Sequence, residues 1–313
     1  MICCEVSGGL GNQFFRYAFA RSIQEQRKKN GKHDALFINY GSIDRHGFAG
    51  DLSDFVLTEH EDFFCRRLLI KKGTLWQIII YYLVTRFFRS LSSVKRNKIL
   101  SANGIVISLM PDCEKIFSPS VNQKKIFIMG NFENEKYFAS IKELLFREFV
   151  PKHDVLSNNK ELYKTILSTN SVCLAIRRGD FLDEEYKKTF YVCDISYYLR
   201  AVEIIREKVE NPVFVVFSND IGWVKENLKI DGDVLWESED NPVWETFRLM
   251  YSCKHFIISN STLHWWAQYK GEYSNKIVIS PDRWYNAPGW EKHLLLDYFI
   301  KIPTGVENSY KKK

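Results

Sequence analysis

Through the second half of the chain, short runs of β-branched and aromatic residues alternate with longer stretches whose apolar positions return every three or four residues. The runs Val172–Ile176, Val213–Phe217, Val234–Trp236, Phe256–Ile258 and Lys276–Ile279 predict strands. The stretches Tyr197–Val209, Gly222–Leu228, Val243–Cys253 and Ser261–Tyr269 predict helices between them. Strands that alternate with helices pair in parallel, because each crossover helix carries the chain back to the same end of the sheet. One complete doubly wound domain is expected here. The first half opens on a strand, Ile2–Val6, then a glycine turn over Gly8–Gln13, then a helix from about Phe14 to Lys28. That is again a βα unit, and Pro151 marks the expected boundary between domains spanning 1–150 and 151–313.

One stretch departs from this alternation. From Arg66 to Lys98 there are nine basic residues and no acidic one, around the apolar run Leu75–Val84. Ten residues are about half of the ~20 that a membrane-spanning helix needs. The pattern fits a segment lying on an anionic membrane face, and equally a core helix with a solvated basic side.

Composition narrows the class. At 313 residues and 45% hydrophobic, the chain can bury two cores and is neither disordered nor fibrous. A net charge of +6 favours anionic partners such as a phosphorylated substrate, but falls short of a nucleic-acid binder. The seven cysteines are scattered, with no CxxC pair or zinc spacing, which predicts reduced thiols. Met1 leads straight into the first strand without the charged and apolar regions of a signal peptide, so a cytoplasmic location is expected, with possible peripheral membrane contact through 66–98.

The candidate chemistry lies where strands end. Glycines at a strand-to-helix turn let backbone N–H groups approach a phosphate, which nominates Gly9, Gly11 and Asn12; the third glycine of a dinucleotide site is missing and no Walker lysine follows. The strand at Val172 delivers Arg177-Arg178-Gly179-Asp180 into the loop at its C-terminal end, the edge at which open α/β sheets bind ligands. Guanidinium forks match diphosphate oxygens bidentately, and Asp180 can pin one of them. Ser218 and Asp220 follow the next strand, and Asn260, Ser261 and Thr262 follow a later one, where hydroxyls and amides at a helix start can hold phosphate. Core packing is the expected role of Trp265 and Trp266, whereas Trp284, Tyr285 and Trp290 can stack on sugars or pack inward. Asp231-Gly232-Asp233 has the form of a metal-binding DxD, but a turn accounts for it better, and no metal is expected.

Taken in order, Gly8-Gly9-Leu10-Gly11-Asn12-Gln13-Phe14-Phe15-Arg16-Tyr17-Ala18, Gly130-Asn131-Phe132-Glu133, Arg177-Arg178-Gly179-Asp180, Phe217-Ser218-Asn219-Asp220 and Leu249-Met250 through Asn260-Ser261-Thr262 resemble the α-1,2-fucosyltransferases of glycosyltransferase family 11. The resemblance spans almost the whole chain. It implies a GT-B-like fold of two Rossmann-like domains with parallel sheets facing across a cleft, the first on the acceptor side and the second binding the nucleotide sugar. It also implies a GDP-β-L-fucose donor, a galactose-ending glycan acceptor, and inversion to an α-1,2 linkage without metal. By the same analogy Arg177 holds the diphosphate, Arg178 and Asp180 support it, Gly9, Gly11 and Asn12 face the donor, and Ser261 and Thr262 hold phosphate.

Two positions depart from the family. Ala175 stands where a histidine usually helps hold the nucleotide, and Thr246 stands where an acid usually precedes Leu-Met. Glu245, one place earlier, points about 100° away on a helix and is the acid nearest to reading guanine. Another nucleotide sugar, or a non-catalytic relative that binds GDP or glycan, are the competing readings. For the acceptor proton, the nearest carboxylates are Asp183, Glu184 and Glu185, of which Glu185 is the chosen base.

Overall fold

The computed structural model describes residues 1–43, 49–88, 90–108, 122–286 and 293–304, so Cys113 and Trp290 lie outside the described residues. The chain divides into two compact units, Met1–Val150 and Pro151–Lys313.

In the first unit β1 (Ile2–Glu5), β2 (Leu36–Asn39), β3 (Glu61–Phe63), β4 (Ile105–Ser108) and β5 (Ile126–Gly130) form one parallel sheet in the order β3-β2-β1-β5-β4. Its helices are α1 (Leu10–Lys29), α2 (Leu68–Lys72), α3 (Leu75–Tyr82), α4 (Ser93–Ala102) and α5 (Lys142–Glu148). The helix α1 begins at Leu10 rather than Phe14, which draws Gly11 and Asn12 into its first turn. The reason is that the Gly9 carbonyl accepts from both the Asn12 and Gln13 amides, closing the turn four residues early. Phe14 stacks on Phe149 at 4.1 Å, and the Arg21 guanidinium donates to Glu148, which also accepts from the Tyr17 hydroxyl. This buried cluster holds α1 against the end of α5.

The second unit places β6 (Asn170–Ile176), β7 (Pro212–Ser218), β8 (Val234–Trp236), β9 (His255–Ile257), β10 (Val278–Pro281) and β11 (Ile300–Ile302) in one parallel sheet, ordered β11-β10-β9-β6-β7-β8. The intervening helices are α6 (Lys160–Ser168), α7 (Glu184–Thr189), α8 (Ile195–Lys208), α9 (Ile221–Asn227), α10 (Val243–Tyr251) and α11 (Thr262–Lys270). Every strand predicted for this unit is present, with ends displaced by two residues at most. The added edge strand, β11, has only three residues and an exposed Lys301, too little pattern to predict. Counted from β6, the order is that of doubly wound nucleotide-binding sheets, so both units are Rossmann-like, the fold class that the sequence leads one to expect.

In the second unit the strand order reverses once, between β6 and β9, whereas in the first the steps β1–β2, β2–β3 and β4–β5 all run the same way and only β3–β4 crosses back. Crossover helices leave in opposite directions at such a reversal, which opens a crevice at the C-terminal strand ends. Trp265, Trp266, Trp284 and Tyr285 are all buried, so packing is their role here. The Asp231-Gly232-Asp233 segment is the turn into β8, with Gly232 at φ +90°. No described helix is long and apolar enough to cross a membrane.

Candidate active site

The strand β6 is buried from Ser171 to Ile176, and the chain emerges at Arg177, on the β6 side of the reversal. Arg177 Nη2 donates to Asp180 Oδ2 at 2.8 Å, and both side chains are about one-third exposed, at 31% and 32%. That leaves a guanidinium anchored on one edge and open to solvent on the rest. The anchor depends on the neighbouring strand. From the end of β7, Asn219 Oδ1 accepts the Arg178 amide at 2.9 Å, and its Nδ2 reaches Asp180 Oδ1 at 3.5 Å. Gly179 lies directly beneath this amide at φ +29°, and a Cβ there would sit 2.2 Å from Asn219 Nδ2. The glycine of one motif and the asparagine of the next are thus a single device.

Arg178 turns the other way. Its guanidinium lies 3.2 Å from the centroid of the Trp223 ring and 3.7 Å from Asp220 Oδ2. Asp220 also caps α9 by accepting from the Trp223 amide, and its own amide donates to Ser218 Oγ. Arg178 and Asp220 therefore shape the wall behind Arg177, while Ser218 lines the pocket in front of it.

That pocket, of about 230 Å³, is walled by Arg177, Ser218, Glu237, Asn241, Thr246 and His264 among others. Glu237 follows β8 directly, is only 7% exposed, and accepts through Oε1 from Asn241 Nδ2 at 3.1 Å and from the Thr246 hydroxyl. Burial pushes its carboxyl up to about 7, against the lowering effect of those two donors. His264 is buried, with Nδ1 2.9 Å from Ser259 Oγ; desolvation, with Arg177 nearby, brings it down to about 3, so it is neutral at physiological pH.

Glu245 is corrected from a donor-binding to a structural residue. It is fully buried, accepts from the Leu156 amide and Asn159 Nδ2, and pairs with Arg248 at 3.3 Å, which fixes the segment entering α6. The geometry follows from the helix, which turns position 245 inward and position 246 to the pocket. The buried carboxylate of the pocket is instead Glu237, which sequence reasoning missed. Its signal was available: it is the residue immediately after a strand, at the ligand-binding edge. Asn260 likewise faces inward, with Nδ2 donating to the carbonyls of Tyr191 and Trp284 at 2.7 Å each. Ser261 caps α11 without a side-chain hydrogen bond, and Thr262 opens that helix half-buried. Glu185 is exposed in the first turn of α7 and is not in the pocket wall.

The first unit has its own strand-end cluster. Gly8 adopts φ +75°, and a Cβ on it would stand 2.6 Å from Asn12 Nδ2; at Gly9 a Cβ would meet nothing within 4 Å. Gly11 is buried in α1, whereas Asn12 is half-buried with a buried Oδ1 that makes no hydrogen bond among the described residues. Arg16 bridges two adjacent strand ends, donating to the Glu5 carbonyl at the end of β1 and to Asn131 Oδ1 after β5, at 3.2 and 2.9 Å.

A family model described as glycosyl transferase family 11 matches residues 1–294. An alpha-1,2-colitosyltransferase of Escherichia coli is 30% identical over 305 residues, covering 91% of this chain and 92% of its own. The O-antigen biosynthesis glycosyltransferase WbnK of Escherichia coli is 28% identical over 313 residues, covering 95% and 99%. Among solved structures, the NodZ alpha-1,6-fucosyltransferase soaked with GDP-fucose superimposes with a TM-score of 0.55 at 11% identity, over 90% of this chain and 94% of that one, a likeness of fold.

Proposed function

The chain belongs to glycosyl transferase family 11, and from that premise we propose that it transfers L-fucose from GDP-β-L-fucose to the 2-hydroxyl of a galactose-ending glycan in surface polysaccharide or oligosaccharide synthesis, inverting to an α-1,2 linkage without a metal. The observation that carries this reading is Arg177, held by Asp180 at the reversal of a doubly wound sheet and opening on a pocket with a buried carboxylate. An arginine there meets the diphosphate as its charge grows, and one well-placed donor is worth about 3–4 kcal/mol in the transition state.

The acceptor oxygen attacks the anomeric carbon on the face opposite the diphosphate. The carbon–oxygen bond to phosphate breaks as the new glycosidic bond forms, and GDP departs with the electron pair, stabilised by Arg177. The acceptor proton passes to a carboxylate, for which we propose Glu185 in the first turn of α7, shortly after the arginines. Ser261 and Thr262 add phosphate contacts at the start of α11. For Gly9, Gly11 and Asn12, whose Oδ1 makes no hydrogen bond among the described residues, we propose a role facing the donor.

In this reading the guanine of the donor lies in the pocket beside Arg177. Guanine carries N1–H and an exocyclic amine side by side, and a carboxylate accepts both. Glu237 meets that requirement in place of position 246, where Thr246 donates to it. Uracil offers one N–H flanked by carbonyl oxygens, a poor match to a carboxylate. The E. coli colitosyltransferase favours a second reading, the GDP derivative of colitose, a 3-deoxy relative of fucose.

A donor screen in EDTA tests the proposal: GDP-fucose, GDP-colitose, GDP-mannose and UDP-sugars with a β-galactoside panel, read by nucleotide release. Transfer from GDP-fucose under chelation is expected. Turnover only with another donor would reject fucose, a strict metal requirement would reject the metal-free mechanism, and GDP binding without turnover on any acceptor would favour a non-catalytic relative.

A further inference from the structure

The apolar run after the first basic cluster does more than enter the core. One side of α3 does pack inward: Ile78, Ile80 and Tyr81 lie against the cluster formed by Leu68, Leu69, Leu100 and Phe127, and Gln77 is buried. Gln77 also completes a capping box with Thr74 and donates to the Asn103 and Lys125 carbonyls, which fixes the rotation of the helix. With that rotation set, Leu75, Trp76, Ile79 and Tyr82 point outward, and Leu75 and Trp76 are 74% and 59% exposed. The chain continues through a π-type turn, Leu83–Phe87, that leaves Phe87 74% exposed beside an exposed Phe88. A surface helix ordinarily turns polar residues to water, and one that is apolar all round has a second apolar neighbour.

Charge identifies that neighbour. Arg67, Lys71 and Lys72 precede the helix, Arg86 follows it, and all four are exposed, as are Lys95 and Lys98 on α4. Two of these cations lie beside aromatic rings of the same region, Lys72 over Phe63 at 5.5 Å and Arg86 over Tyr82 at 6.0 Å. Trp76 is held in place by its Nε1–H donating to Asn103 Oδ1 at 2.9 Å, so an aromatic edge is presented without ordering on contact. Outward Leu, Trp and Phe bracketed by Lys and Arg, without an intervening acid, is the composition of a helix lying in a lipid interface. A protein partner or second copy would have to match a continuous positive border, which this face cannot supply to itself.

We propose that α3 and the turn after it dock this protein on an anionic bilayer surface, with Leu75, Trp76 and Phe87 entering the headgroup boundary and the flanking Lys and Arg meeting lipid phosphates. The inference stands apart from the donor and the acceptor.

The test is flotation of the whole protein with vesicles of phosphatidylcholine, with and without phosphatidylglycerol, at low and physiological salt. Three proteins are compared: the parent, a Leu75→Ser/Phe87→Ser variant, and a Lys71→Gln/Lys72→Gln/Arg86→Gln variant, each checked for an unchanged thermal melt. All five positions are exposed, so folding is expected to survive. The parent is expected to float only with phosphatidylglycerol. The charge variant should lose about fivefold in partitioning per cation, on the order of 100-fold in total, and the apolar variant should stay weak even at low salt. Parent protein that ignores phosphatidylglycerol, or variants that partition within about twofold of it, would overturn the proposal. So would concentration-dependent self-association removed by the same substitutions, which would assign this face to a second copy.

Discussion

The C-terminal strand ends of the two sheets carry arginines of opposite character. Arg16 is 8% exposed, donates to a backbone carbonyl and a side-chain amide, and its charge is disfavoured chiefly by burial. Arg177 keeps about a third of its side chain in solvent and has one carboxylate to steady it. A buried guanidinium whose two terminal nitrogens are engaged by the protein holds two strand ends together, whereas one with donors open to solvent can answer a charge that arrives with substrate. Residue type and position at the strand ends are shared; the accessibility of the remaining donors separates clamp from ligand.

The sharpest way to break this comparison is Arg177→Ala. Turnover is expected to fall by about 10³-fold with little change in melting temperature, and a loss under about tenfold would remove Arg177 from the chemistry. At the same edge Glu185→Gln should lower kcat by about 10²-fold with KM for the donor nearly constant; an unchanged kcat would move the base elsewhere. Arg16→Met is expected to do the reverse of Arg177→Ala. Its cost is stability, about 1–2 kcal/mol in urea unfolding, because it strands two partly buried acceptors, while kcat per folded molecule stays near that of the parent. Equal damage to activity and stability in both arginine variants would erase the distinction.

The smallest effect sharpens the picture of the pocket. Glu237→Gln should weaken GDP-sugar binding about tenfold. Its pH dependence is more telling. Since burial raises the Glu237 carboxyl to about 7, above its ordinary glutamate value, the unfolded chain ionises first, and stability falls as pH rises from the ordinary range to about 7. Donor affinity moves oppositely, rising as the carboxylate forms through about pH 7. In Glu237→Gln both slopes should flatten, and a parent profile without the rise would argue against a charged Glu237 in the complex.

Much of the second unit was legible because β6 and β7 are central strands, buried on both faces, and so write continuous apolar runs into the sequence. The first unit was less so. Its edge strand β3 is Glu61-Asp62-Phe63, without apolar alternation, and its order, with β5 inserted beside β1, depends on long-range pairing. Arg177 and Asp180 stood out as charges after a buried strand, and the structure brings them together. Glu237 stood directly after a strand, but its pairing with Thr246, nine residues on and on another element, is set by the fold. Asn260 misled for the converse reason: a polar residue at a strand end looks outward in sequence, but two backbone carbonyls claim its amide.

The packing of Gly179 beneath Asn219 has an evolutionary corollary. A side chain at 179 would collide with the amide at 219, so neither position can drift alone. Descendants and relatives of this sequence should vary at the two sites together, a larger residue at 179 arriving only with a shorter one at 219, and lineages that break the pairing should be those in which selection on the arginine beside it has lapsed.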